Sequence, residues 1–243
     1  MRPVRIERED FLENYWPGLY HDGDHVLTLG PTQRAGKTHL NFQLLQAVGH
    51  PWLDKTVFCM KPRDATVARW SEALGYKETE RWPPPAKWFW QDKPNGYTLW
   101  PRHSFDPDKD NEHLRQQFRA TMMHHYRSGD AIMMLDEVYG ICAELNLSKE
   151  LIAIATRGGG MGCGAWMASQ KPSGTQQGSL PGFIFNCPRH YFLAADNDAR
   201  NRARYTDISG GFDPKFIEST TLGLQRFEFL YINADGQVAV IGA

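Results

Sequence analysis

Two kinds of apolar pattern alternate along this chain of 243 residues. Short runs such as Val26-Leu27-Thr28-Leu29, Thr56-Val57-Phe58-Cys59-Met60, Ala131-Ile132-Met133-Met134-Leu135 and Gly164-Ala165-Trp166-Met167-Ala168 are apolar almost without interruption. Runs of this kind suit strands buried on both faces, as in a parallel sheet covered by helices. Between them the spacing changes. Leu40, Phe42, Leu44, Leu45 and Val48 recur at helical intervals and predict a helix over 36–48. Further helices are predicted over 65–74, 111–126 and 148–156, the last capped by Ser148 and ended by Gly158-Gly159-Gly160. Strands alternating with helices predict an α/β fold with a central, mainly parallel sheet flanked by helices. Residues 226–232 and 237–241, joined at Asp235-Gly236, predict a closing hairpin.

Residues 76–107 break this rhythm. They hold Trp82, Trp88, Trp90 and Trp100, together with Pro83-Pro84-Pro85. Trp88-Phe89-Trp90 and Tyr97-Thr98-Leu99-Trp100, placed about Asn95-Gly96, predict an aromatic-rich β-hairpin insertion. Its rings could stack on nucleic-acid bases or meet a neighbouring protein. Cross-strand packing within the hairpin is the simpler account of them.

Composition narrows the class. A length of 243 residues with 41% apolar and 23% charged content fits one domain spanning 1–243 with an ample core. The net charge of −1 gives no bulk electrostatic case for a nucleic-acid partner. Cys59, Cys142, Cys163 and Cys187 are widely spaced and read as reduced thiols of a cytosolic protein. The nine histidines form no metal-binding spacing, and His124-His125 are adjacent. No 18-residue apolar run is present and the first ten residues are charged, so neither a membrane span nor a secretion signal is expected. That predicts a cytoplasmic protein.

The candidate chemistry begins where the first strand ends. Pro31-Thr32-Gln33-Arg34-Ala35-Gly36-Lys37-Thr38 follows Gly30 directly and reads as a phosphate-binding loop opening a helix. The amides at that helix start would face an anion, Lys37 would pair with the outer phosphates, and the Thr38 hydroxyl would ligate Mg²⁺. Only Gly36-Lys37-Thr38 is intact relative to the usual glycine-rich pattern. The acidic partner is Asp136-Glu137, at the end of the run 131–135. Asp136 would hold the Mg²⁺ shell and Glu137 would orient and deprotonate an attacking water, a pairing that favours hydrolysis of ATP. Gln170 ends the strand Gly164-Ala165-Trp166-Met167-Ala168-Ser169. There it could contact the terminal phosphate or the water, or simply begin a surface loop in which Lys171 and Gly174–Gly178 follow.

Two segments carry a family resemblance. Ala155-Thr156-Arg157-Gly158-Gly159-Gly160 leading to Ser169-Gln170-Lys171-Pro172-Ser173, and Asn186-Cys187-Pro188-Arg189 leading to Asp198-Ala199-Arg200, resemble the FtsK–HerA family of DNA-pumping ATPases. The resemblance covers roughly residues 24–60 and 128–208. It implies a RecA-like P-loop NTPase core that binds ATP and Mg²⁺. Lys37 and Thr38 would serve as the loop pair, Asp136 and Glu137 as Mg²⁺ ligand and base, and Gln170 as sensor. It also implies a homo-oligomeric ring, hexamer or pentamer, that translocates double-stranded DNA. Arg157 is similar to the arginine that reaches a neighbouring subunit's nucleotide in such rings. Arg34, inside the loop, is the rival, because viral terminase motors place an arginine similarly, and Arg189 and Arg200 are lesser candidates. The bare core is similar to the short packaging ATPases of tailless viruses, which would imply a viral genome-packaging motor in the host cytoplasm, virion-associated or docked on a capsid vertex protein. The alternatives are a plasmid-transfer or helicase-like translocase, and an assembly protein that uses ATP to change shape without pumping DNA.

Overall fold

The computed structural model describes residues 3–31, 35–49, 52–84, 94–170, 181–208 and 212–242. In chain order the elements are β1 (Val4–Ile6), then a helical run made of α1 (Arg8–Asp10), a π-helical turn (Phe11–Tyr15) and α2 (Trp16–Leu19). They continue with β2 (Val26–Leu29), α3 (Lys37–Ala47), β3 (Asp54–Phe58), α4 (Ala65–Ala73), β4 (Lys77–Thr79), β5 (Tyr97–Leu99), α5 (Pro107–Ser128) and β6 (Ala131–Leu135). The second half holds α6 (Val138–Ala143), α7 (Ser148–Arg157), β7 (Cys163–Ser169), α8 (Phe183–Asn186), β8 (His190–Ala194), α9 (Ala199–Ile208), α10 (Pro214–Leu222), β9 (Phe229–Asn233) and β10 (Val238–Ile241).

Among the described residues ten strands form one sheet in the order β1-β10-β9-β8-β2-β7-β6-β3-β5-β4. Strands β8 through β4 in that order are parallel, while β9 runs antiparallel to both β8 and β10. The unbroken apolar runs are explained by what covers them. β2, β6, β7 and β8 are buried at every position. Alternate residues feed two cores, one per face. Leu27, Met133, Ala165 and Leu193 share a core with Phe118 of α5, Leu151 of α7 and Ile217 of α10. Val26, Ile132, Trp166 and Phe192 share the other with Phe11, Trp16 and the α3 residues Leu40 and Leu44. Trp16 Nε1 donates to Leu44 O at 3.2 Å, which fastens the N-terminal helical run onto α3.

The expected strands and helices are present, with three corrections. Helix α5 starts four residues before the predicted 111, because Asp106 caps it through Lys109 N and Pro107 fits its first turn. Ser148 is not the cap of α7: Leu147 occupies that position, and Ser148 Oγ donates to Cys142 O at 3.3 Å. The hairpin about Asn95-Gly96 is corrected in its second arm, since β5 lies between β3 and β4 and is parallel to both, leaving no edge for an antiparallel partner. Its first arm, Trp88-Phe89-Trp90, lies outside the described residues. The closing hairpin forms as predicted, with Ala239 opposite Tyr231.

One buried hydrogen bond ties the strand before residues 30–36 to the helix after them. Thr28 Oγ1, on β2, donates to Asn41 Oδ1, on α3, at 2.7 Å, so the strand before the loop and the helix after it are tied inside the core. Thr28→Val keeps the side-chain shape and leaves the amide oxygen without its donor. It should lower stability by about 1–3 kcal/mol in urea unfolding, whereas Thr28→Ser should recover most of the loss.

Candidate active site

The loop is built by its neighbours. Gly30 N donates to Ser169 O at 3.3 Å, extending the β2–β7 pairing by one residue. A Cβ at Gly30 would lie 2.6 Å from the Ala194 Cβ, so the exit from β2 toward the loop requires glycine. Thr32, Gln33 and Arg34 lie outside the described residues. Ala35 and Gly36 lead into α3, and Gly36 has φ +83°, a conformation that disfavours a side chain. Gly36 also makes no side-chain cap, which leaves the first-turn amides of α3 to an anion.

The side chains converge. Lys37 Nζ donates to Gly30 O at 3.0 Å and to Pro31 O at 2.9 Å, and burial lowers its pKa. Thr38 Oγ1 donates to Asp136 Oδ1 at 2.7 Å, joining the start of α3 to the end of β6 across the intervening β7. Gln170 Nε2 donates to Glu137 Oε2 at 2.7 Å. The Glu137 carboxyl is pushed up to about 7, first by burial and then by the negative charge of Asp136. A carboxylate with a proton affinity near neutrality, held by one amide donor, is suited to general-base work.

The structure also brings in residues that the motif reading missed. Lys61 follows β3 and its amine lies 2.8 Å from Asp64 Oδ2 and 3.5 Å from Asp136 Oδ2. The same strand-end rule that singled out Asp136 would have found it, since β3 is the neighbour of β6. Arg69 and Arg226 line the same pocket, of ≈ 690 Å³. Phe227, at φ +70°, packs against Gly36, where a Cβ would lie 3.0 Å from its ring. The Arg226 guanidinium stands 4.4 Å over that ring. Arg8, from α1, donates to Phe227 O and also to Gly242 O, the latter at 3.1 Å.

The arginines proposed from the sequence are dispersed. Arg157 is exposed at the C-terminal end of α7, at the end of the sheet where β7 begins, opposite the loop. Arg189 precedes β8 and is held by Asp235 at 2.9 Å and Asp24 at 3.5 Å. Arg200 is exposed at the start of α9, its N–H bonded to Asp198 Oδ1 at 2.8 Å. Lys171 lies outside the described residues, as do Gly174–Gly178. Among the described residues there is no cluster of three or more His, Cys, Asp or Glu side chains arranged for a metal. The pair Thr38 and Asp136 is nevertheless a hydroxyl and carboxylate set that fits Mg²⁺, which takes few protein ligands when a nucleotide supplies others.

Solved structures with a similar fold exist. The packaging ATPase B204 from Sulfolobus turreted icosahedral virus superposes with a TM-score of 0.60 at 11% identity, over 92% of this chain and 98% of that one. The genome packaging NTPase B204 from Sulfolobus turreted icosahedral virus 2, in complex with AMPPCP, gives 0.56 at 12% identity over 92% and 99%. This chain has the fold of the FtsK–HerA-type P-loop ATPases. The cytoplasmic domain of the type VII secretion ATPase EccC from Thermomonospora curvata gives 0.59 at 14% identity, with 99% of this chain matching 28% of that one. No protein-family model and no curated protein matches the sequence. In this chain Lys37, Thr38, Asp136 and Gln170 line one pocket, and Glu137 reaches it through its hydrogen bond from Gln170.

The elevated Glu137 pKa has a thermodynamic cost. A folded-state value near 7 against an ordinary 4.5 means that its stabilising contribution is complete below pH 4.5 and is lost as pH rises through 7. Above that window the ionised, buried carboxylate costs the fold on the order of 3 kcal/mol. Glu137→Gln should therefore raise the urea midpoint at pH 8 and leave it near the wild-type value at pH 4. An equal gain at both pH values would assign the effect to packing.

Proposed function

We propose that this protein hydrolyses ATP and couples hydrolysis to movement of double-stranded DNA. One observation carries the catalytic half: Lys37, Thr38, Asp136, Glu137 and Gln170 meet at the C-terminal edge of three adjacent parallel strands. Lys37 and the first amides of α3 would hold the phosphates. Thr38 and Asp136 would hold Mg²⁺, which would offset phosphate charge there. Glu137 would accept the proton of a water, with Gln170 fixing the carboxylate's direction. The neighbour solved with AMPPCP supports nucleotide binding by this fold.

The DNA half rests on coverage. The two B204 structures match almost end to end with this chain, so the fold shared with a packaging motor extends well beyond the nucleotide site. Viral genome packaging is accordingly the favoured process, with a homo-oligomeric ring of six or five copies and a capsid vertex as docking partner. In such a ring Arg157, exposed on the far end of the sheet, would be presented to the next subunit, where it would offset charge building on the phosphoryl group. Arg34 would do the same from within its own subunit. Among the described residues no helix is long and apolar enough to cross a membrane. Secretion of a substrate other than DNA is the second reading, favoured by the comparable similarity to the secretion ATPase EccC and by the net charge of −1.

Lys37→Ala and Glu137→Gln should each lower ATP turnover by about 10²-fold or more, with Glu137→Gln retaining ATP binding. Gln170→Ala should lower kcat by about 10-fold or more with little change in ATP affinity, because it acts on the orientation of Glu137. Linear duplex DNA should stimulate turnover of the assembled wild-type protein several-fold, measured by phosphate release. No stimulation by duplex DNA, together with turnover that persists, would move the secretion or assembly readings ahead. DNA movement that survives Glu137→Gln would end the motor reading.

A further inference from the structure

We propose that Lys61 is a second lysine of the nucleotide site, which contacts the terminal phosphate of a nucleoside triphosphate and so distinguishes triphosphate from diphosphate. This rests on the ATP-binding reading above and deepens it.

The placement of Lys61 is determined by its surroundings. It stands just beyond β3, whose last residue Phe58 pairs with Leu135 immediately before Asp136. Its carbonyl accepts hydrogen bonds from Trp100 Nε1 at 2.7 Å and from Cys59 Sγ at 3.8 Å, so the backbone from which the side chain departs is fixed on two sides. Its amine is bonded to Asp64 Oδ2 at 2.8 Å. Asp64 is itself rigid, because its other oxygen caps α4 through the amides of Thr66 and Val67 at 3.0 and 3.1 Å. A flexible lysine stem is thereby aimed by a helix cap toward Asp136.

Its charge then has a purpose that an ordinary ion pair lacks. Half-exposed pairs contribute little to stability, in the range of about 0–1 kcal/mol. Yet this one lies in the wall of the pocket beside Thr38 and Gln170. That wall carries Lys37, Lys61, Arg69 and Arg226 against Asp64 and Asp136, an excess of positive charge suited to a polyphosphate. Lys37 is committed to the loop carbonyls Gly30 O and Pro31 O and approaches from the β2 side. Lys61 approaches from the β3 side, across Asp136 from the β7 tip, so the Gln170–Glu137 contact lies between the two lysines along the sheet edge. A terminal phosphoryl group next to Glu137 lies between the two lysines, whereas the inner phosphates lie at the α3 amides. One charge-assisted contact made only to the terminal group favours triphosphate over diphosphate.

The test compares ATPγS and ADP binding to the full chain by calorimetry, in wild type, Lys61→Met and Lys61→Arg. ATPγS affinity should fall by about 10-fold or more in Lys61→Met, with ADP affinity within two-fold of wild type, and Lys61→Arg should recover most of the loss. ADP binding doubles as the check that the variant is folded and its loop intact. In steady state, Lys61→Met should also lower kcat. Equal losses for the two nucleotides, or no loss for either, would overturn the assignment. Wild type that binds neither nucleotide would instead overturn the ATP-binding reading on which it rests.

Discussion

Parallel pairing of β2, β7 and β6 is the constraint on which this molecule depends. The register that sets Leu29 beside Ser169, and Leu135 beside Met167, brings three strand ends to one edge of the sheet. Gly30, Gln170 and Asp136 are simply the next residues along. No side chain has to reach far, since the backbone ladder has already delivered each group to within hydrogen-bond range of its partner. The ladder is insulated from water on both faces by the aromatic and aliphatic side chains that β2, β6 and β7 present, so a slip in register would expose apolar surface along every strand. Thr38–Asp136 then closes the edge by joining α3, the helix that follows the first strand of the set, to the end of the third over the second.

The site concentrates charges that repel one another and holds them with a few donors. Two adjacent carboxylates, Asp136 and Glu137, are kept apart by their partners: Thr38 and Lys61 serve Asp136, and Gln170 serves Glu137. The Glu137 carboxyl has its proton affinity raised, first by burial and then by the negative charge of Asp136. Asp136 is flanked by a hydroxyl and an ammonium, which suits it to the oxygen-ligand role proposed for it. The division of labour follows from the neighbours each acid was given, since the two residues are adjacent in sequence.

Most of this edge was legible in the sequence because its signals are local. An apolar run with a polar residue at its end reports both a strand and the position of its C-terminus, which located Lys37, Asp136, Glu137 and Gln170. The edge strands β1 and β4 were not legible, since three-residue strands with exposed positions carry no apolar run. The hairpin about Asn95-Gly96 was misread because turn chemistry and aromatic flanks say nothing about which strand will pair, and β5 finds parallel partners on both sides. Lys61 and Phe227 escaped for a related reason. Their roles depend on contacts with Asp136 and Gly36 that are distant in sequence, and neither sits in a motif.

The contact between Phe227 and Gly36 links distant parts of the chain to the phosphate loop. Arg8 holds the turn at Phe227 through its carbonyl, Phe227 covers the glycine that opens α3, and the same arginine fastens the strand that ends at Ile241. On a ribosome the loop emerges long before the residues that brace it. The half-built chain therefore carries its phosphate-binding sequence without the clamp. The brace at the start of α3 is complete only when the residues of β9 and β10 have joined the sheet.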